Sequence, residues 1–260
     1  MRIDLRFVSD PNAIQAAAKD IIKLSPDVIL VHSSPMTGVV RQQTKLIPIV
    51  FVAVGDPVAN RFVEDIARPE GNVTGITNLF PTIGGKWLQL LKEAAPRTER
   101  VALLFNPKLL FSETYFASIE ATASSLGVQV KRTPYQDAAE LIHEVDAMAA
   151  SPNGALILLP PFGDYPKQFI SRLEQHRLPS ISNLKSFAVA GGLMSYGADN
   201  VDLFQRAASY VDRILRGEKP RDLPVQFPTK FEMTINLKTA KAIDLTMPPT
   251  LRALATDVIE

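Results

Sequence analysis

The chain has 260 residues, 46% of them hydrophobic, enough for one large or two modest α/β domains with real cores. Its formal net charge is +1 with acids and bases evenly mixed, which excludes the basic stripe of a nucleic-acid binder and an acidic tail. Cysteine is absent, ruling out disulfides, thiolate catalysis and cysteine metal sites without deciding the compartment.

In chain order, residues 3–8 (IDLRFV) alternate Ile3, Leu5 and Phe7 with Asp4 and Arg6, the pattern of an edge strand with one wet face. Asp10-Pro11 reads as an N-cap followed by proline at the first helical position. It opens a helix to about Leu24 with Ile14, Ala17, Ile21 and Leu24 on one stripe. Val28–Val31 is a buried strand, and a helix after Ser33-Ser34-Pro35 runs to about Thr44. Ile47–Pro57 (IPIVFVAVGDP) is apolar on both alternating faces, as in a parallel strand covered by helices on two sides. A helix over Val58–Ala67 and a strand over Asn72–Leu79 follow, the latter read as a first crossing between lobes.

The helix Ile83–Ala95, with Trp87, Leu88, Leu91 and Ala94 on its apolar face, opens a second lobe. Strand and helix then alternate: Val101–Phe105, Ser112–Leu126, Val128–Lys131, Ala138–Ala150, Ala155–Leu159 and Tyr165–His176, with short strands at Pro179–Ser182 and Leu193–Tyr196. Helix Val201–Arg216 returns to the first lobe. Residues 220–228 hold three prolines and read as a strap, and a strand near Phe231–Asn236 precedes a short helical tail. This rhythm predicts parallel sheets in two lobes, 1–77 plus 197–220 and 78–196, with 221–260 as strap and tail.

Several strands end in a small polar residue before proline: Ser34-Pro35, Asp56-Pro57 and Asn106-Pro107, with Pro160-Pro161 at the matching place. Such residues cap the following helix, or converge on a cleft where free N–H groups favour a ligand carboxylate; both roles are compatible. Asp56 keeps a charge beside an apolar strand and needs a partner, for which a ligand ammonium or a local cap would serve.

Catalytic signatures are missing. Gly192-Leu193-Met194-Ser195-Tyr196-Gly197 lacks the glycine two before serine of a nucleophile elbow. His143-Glu144 lacks the second histidine of a zinc helix, and both residues are expected to face solvent. His32 ends a strand and is expected to be structural, with cleft lining as its other role. Gly84-Gly85-Lys86 reads as a helix start, not a phosphate loop, and Asn72-Val73-Thr74 is a chance-frequency sequon. Phe80, Phe162, Phe187 and Tyr196 end strands or loops, positions suited to stacking on an aromatic ligand, with core packing expected for at least two. No catalytic residue, metal site or cofactor is expected.

PIVFVAVGDPV, GNVTG, RVALLFNP, GGLMSYG and PTKFEMTINLKTAKAIDLTMPP resemble, from Met1 to Glu260, ABC-transporter substrate-binding proteins of the group with tryptophan- and tyrosine-binding members. The resemblance implies the type I periplasmic-binding fold, two Rossmann-like lobes with parallel sheets joined by three crossings, and a solute gripped between them. It implies an amino acid or related carboxylate as ligand, ABC permease subunits as partners, a monomer and a periplasmic location. It also places Ser33, Ser34, Asp56, Asn106, Ser195 and Tyr196 at the ligand, with Asn183 as a weaker candidate.

Family members begin with a signal peptide and a first strand and helix. Met1-Arg2-Ile3 matches the segment after these, so the first lobe is expected to be incomplete, with a strand missing between Ile3–Val8 and Val28–Val31 and exposed sheet edges that invite aggregation. Two other readings remain: a ligand-sensing regulatory module of the same fold, which would need a headpiece not seen before Met1, and a Rossmann-like enzyme.

Overall fold

The computed structural model describes residues 2–8, 10, 13–78, 80, 82–107, 112–159 and 166–260, with the backbone alone for 112–114. In chain order the first elements are α1 (Ile14–Lys23), β1 (Ile29–His32), α2 (Ser34–Gln43), β2 (Ile49–Val54), β3 (Val73–Thr77) and α3 (Ile83–Ala94). Next come β4 (Arg100–Phe105), α4 (Ser112–Leu126), β5 (Gln129–Pro134), α5 (Ala138–Ala149), β6 (Gly154–Leu158) and α6 (Lys167–Gln175). The last are β7 (Ser180–Ser182), α7 (Lys185–Val189), β8 (Met194–Ala198), α8 (Asn200–Leu215), β9 (Phe231–Asn236), α9 (Leu237–Ala242), α10 (Pro249–Leu254) and β10 (Asp257–Ile259).

The chain divides into two compact units, Met1–Phe80 with Asp199–Lys230, and Pro81–Ala198 with Phe231–Glu260. The first holds a parallel sheet in the order β1-β2-β3. All six residues of β2 are buried, as a β-branched run covered on both faces requires. Ile49, Phe51 and Val54 pack with Ile29, Val31, Val40, Val73 and Val225. The last helix of this unit, α8, buries Leu203, Ala207, Tyr210 and Ile214, and Asp199 caps it by accepting from Val201 N and Asp202 N at 2.9 and 3.2 Å.

The second unit carries a seven-stranded sheet in the order β10-β9-β8-β7-β6-β4-β5. Its pairs are parallel except β8 with β9. The parallel sheets expected from the strand–helix rhythm are thus present, with one exception: β8 leads the chain out of this unit and β9 leads it back, so the two run in opposite directions. Trp87 and Leu88 on α3, Leu103 and Leu104 on β4, and Phe116 on α4 are fully buried here. Gly84 and Gly85 let α3 lie close against α4, since a Cβ on either would fall 2.6 Å from Tyr115 O or 2.4 Å from Thr122 Oγ1.

Other expectations are corrected. Residues 3–8 form no strand, and Ile3, Leu5 and Phe7 are exposed, because no neighbouring strand among the described residues takes up their N–H and C=O groups. Residues 58–67 form turns instead of a helix. The N–H groups of Val58 and Ala59 go to Asp56 Oδ1, those of Phe62 and Val63 go to Pro57 O, and Arg61 takes φ 55°, which no helix admits. The strap and the tail read at 221–260 fall in different units. Val225 N donates to Ile66 O and Gln226 N to Gly75 O, holding the strap to the first unit, whereas β9, α9, α10 and β10 belong to the second.

At two of its sites, Ser34 and Asp56, the polar-then-proline device does not cap a helix. Ser33 precedes α2 without a side-chain cap bond, Ala13 and not Asp10 is the N-cap of α1, and Asp56 caps a turn. Pro11, Pro160, Pro161 and Phe162 lie outside the described residues. The five-residue α7 and the three-residue β10 carry too few turns or alternations for periodicity to reveal them.

Candidate functional site

In the first unit, the carboxyl ends of three parallel strands bring polar groups side by side. After β1, Ser33 has φ 73° and ψ 156°, a region that glycine alone occupies freely. It is held there by its N–H to Val52 O at 3.0 Å and by Thr37, whose N and Oγ1 both donate to Ser33 O. Ser34 Oγ accepts from Gly55 N at 3.2 Å, tying the exit of β1 to that of β2.

After β2, Asp56 Oδ1 accepts from Val58 N and Ala59 N at 3.1 and 2.9 Å. The local cap is therefore occupied by one carboxylate oxygen. Just before it, the β2–β3 register slips between Val52 and Val54, and Ala53 at φ 55° marks the bulge. Bulges re-aim the chain and recur beside functional sites. Thr77 Oγ1, at the end of β3, lies 2.7 Å from Val54 O and 2.6 Å from Gly55 O and braces the re-aimed segment. Asn78 follows, its N–H on Val54 O at 3.0 Å, and its side-chain Oδ1 is buried with no hydrogen-bond partner among the described residues. No sequence candidate included Asn78; its only signal was the polar pair Thr77-Asn78 closing an apolar strand.

His32 lies beside this row. Its ring stacks on Phe204 of α8, centroids 5.7 Å apart at 20°, and this cover lowers the imidazole pKa although part of the residue stays exposed.

In the second unit, Asn183 follows β7, while Ser195 and Tyr196 lie on the adjoining β8. Ser182 and Ser195 are register partners, and Ser195 pairs on its other side with Thr234, so three buried hydroxyl residues form a row across β7, β8 and β9. Asn183 packs against Gly197, where a Cβ would fall 1.9 Å from Asn183 O, and Asn183 Oδ1 is buried without a partner among the described residues. Tyr196 stacks on Phe231 at 5.7 Å and 13°, its carbonyl accepts from Trp87 Nε1 at 2.7 Å, and burial pushes its phenol pKa up.

Asn106 is half-buried after β4, with β6 between that strand and β7. The structure thus groups Ser33, Ser34 and Asp56 in one unit and Asn183, Ser195 and Tyr196 in the other, and leaves Asn106 apart from the latter three. Of the expected stacking aromatics, Phe187 is fully buried in the core beside Phe169, and Phe80 is 38% exposed. Among the described residues no cluster of His, Cys, Asp or Glu could hold a metal, and no helix is long and apolar enough to cross a membrane.

The model of the family described as ABC transporter substrate binding protein matches residues 7–259. A tyrosine-binding protein of Clostridioides difficile (strain R20291) is 24% identical over 245 residues, covering 91% of this chain and 68% of that protein. Among solved structures, an ABC domain from Streptococcus pneumonia in complex with L-Trp superposes with TM-score 0.85 at 23% identity, over 96% of this chain and 84% of that one. A ligand-free, open substrate binding protein with adhesive properties from Clostridium difficile gives 0.72 at 22% identity, with the same coverages of 96% and 84%. The shared fold is the two-lobe α/β architecture of periplasmic binding proteins.

Proposed function

The chain belongs to the ABC transporter substrate binding protein family, and from that premise we propose that it reversibly captures an amino acid or related carboxylate for an ABC importer. Aromatic amino acids are the favoured solutes, because one similar protein is named for tyrosine and a similar structure holds L-Trp. The polar strand ends supply the contacts: Ser33, Ser34 and Asp56 in the first unit, and Asn183, Ser195, Tyr196 and Asn106 in the second. The partners are the importer's transmembrane subunits, the working form is a monomer, and the place of action is outside the cytoplasmic membrane. The task is binding without turnover.

One observation carries this reading. Ser33 holds a backbone conformation open at little cost only to glycine, beside a bulge at Ala53 and the carboxylate of Asp56. Backbone strain of about 1–3 kcal/mol persists where surroundings over-determine it, as at ligand clamps. In parallel α/β sheets the carboxyl ends of strands are also where ligands bind.

Titration calorimetry against the twenty protein amino acids tests the reading, together with native mass spectrometry of the purified protein. Saturable one-to-one binding of tyrosine or tryptophan is expected. Silence across the panel, with no small molecule retained on purification, defeats it.

A further inference from the structure

At the end of β3, Asn78 presents a buried side-chain oxygen that meets no donor among the described residues. Buried polar atoms are otherwise almost always paired, so this one calls for a partner from outside the chain. At the neighbouring exit of β2 the polar groups are mostly acceptors. Val54 O and Gly55 O are acceptors engaged by Thr77 Oγ1, and Val54 O also takes the Asn78 N–H. Gly55 N, a donor at that exit, is committed to Ser34 Oγ. Asp56, next along β2's exit, is another acceptor, with one carboxylate oxygen spent on the Val58 and Ala59 amides. The end of β3 therefore stands in a neighbourhood rich in acceptors, which suits a cationic donor carrying several N–H groups.

We propose that Asn78 is a specificity-determining residue whose side-chain oxygen accepts a hydrogen bond from the ammonium of the solute, distinguishing amino acids from plain carboxylates. This rests on the solute-binding reading above. Thr77 acts as a positioning residue: its hydroxyl holds the Val54 and Gly55 carbonyls and so sets where Asn78 starts.

The test compares wild type with Asn78→Leu, which keeps the branched shape but removes the acceptor, and with Asn78→Asp, which keeps an acceptor. Each is melted without ligand and titrated with L-tryptophan and L-tyrosine. Each is also titrated with their deamino analogues, indole-3-propionate and 3-(4-hydroxyphenyl)propionate. Asn78→Leu is expected to melt at or above the wild-type temperature, because an unsatisfied buried oxygen has been removed. It should bind the amino acids about ten- to a hundredfold more weakly while binding the deamino analogues as wild type does. Asn78→Asp should retain amino-acid affinity within a few fold. A clear drop in the melting temperature of Asn78→Leu assigns the residue a structural role and overturns the inference, whether or not any solute binds. Equal weakening for amino acids and deamino analogues, or no weakening at all, overturns it as well. Failure of the wild type to bind either amino acid instead removes the reading on which the inference rests.

Discussion

Trp87 Nε1 on α3 donates to the carbonyl of Tyr196 on β8 at 2.7 Å, with the indole 1% exposed and packed 5.1 Å from the ring of Tyr115. A helix that opens the second unit is thereby fastened to the strand that leaves it. Replacing Trp87 with Phe keeps most of the apolar contact but leaves that carbonyl without its donor. A loss of about 1–3 kcal/mol is expected in urea unfolding followed by circular dichroism. Because Trp87 is the sole tryptophan, wild-type fluorescence reports unfolding of this unit alone.

Asp202 on α8 is paired with Lys230 at 2.9 Å and lies 3.6 Å from Arg206. The hydrogen bond from Lys230, with the charges of Lys230 and Arg206 adding to it, holds its carboxyl below the usual aspartate range. A carboxylate lowered in the folded state contributes stability that is complete above the ordinary aspartate pKa and is lost as the pH falls through the lowered value. Asp202→Asn should therefore melt below wild type at pH 7, with the gap closing as both are taken below the ordinary aspartate range. A gap that stays constant with pH would show that the charge is immaterial.

Asp56 combines a cap with a charge, and two variants separate them. Asp56→Asn keeps an oxygen for the amides of Val58 and Ala59 and should leave stability nearly unchanged, yet weaken amino-acid binding at least tenfold if the charge faces the solute. Asp56→Ala also loses the cap and should cost about 1 kcal/mol in addition. Calorimetry and thermal melting on the same samples check both; full affinity in Asp56→Asn would leave the residue a cap alone.

Gly197 faces a backbone atom that cannot move aside cheaply. A Cβ there would sit 1.9 Å from Asn183 O, so Gly197→Ala must push β8 away from the exit of β7. A destabilisation of about 1–3 kcal/mol is expected, with weakened solute binding in the protein that remains folded. Unaltered melting and affinity would mean the two strand ends are more compliant than the packing implies.

Much of the architecture was legible in residue order. The run Ile49–Val54 announces a doubly covered strand because every side chain is apolar, and Trp87, Leu88, Leu91 and Ala94 mark one buried face of α3 because helical spacing puts them there. Strand exits were equally visible, since small polar residues followed by proline interrupt apolar runs at Ser34, Asp56 and Asn106. What local pattern could not decide was anything that depends on a distant partner. The alternation in residues 3–8 is strand-like, but a strand exists only when a neighbour accepts its hydrogen bonds, and none of the described strands does. Residues 58–67 look helical until Asp56 and Pro57 claim the amides a helix would need. Phe231–Asn236 reads as a strand, yet only the return of the chain beside β8 makes it antiparallel. The strained Ser33, the bulge at Ala53 and the unpaired oxygen of Asn78 are likewise products of packing. Periodicity reports which face a residue turns inward, whereas strain and unmet hydrogen bonds arise only when separate segments are brought together.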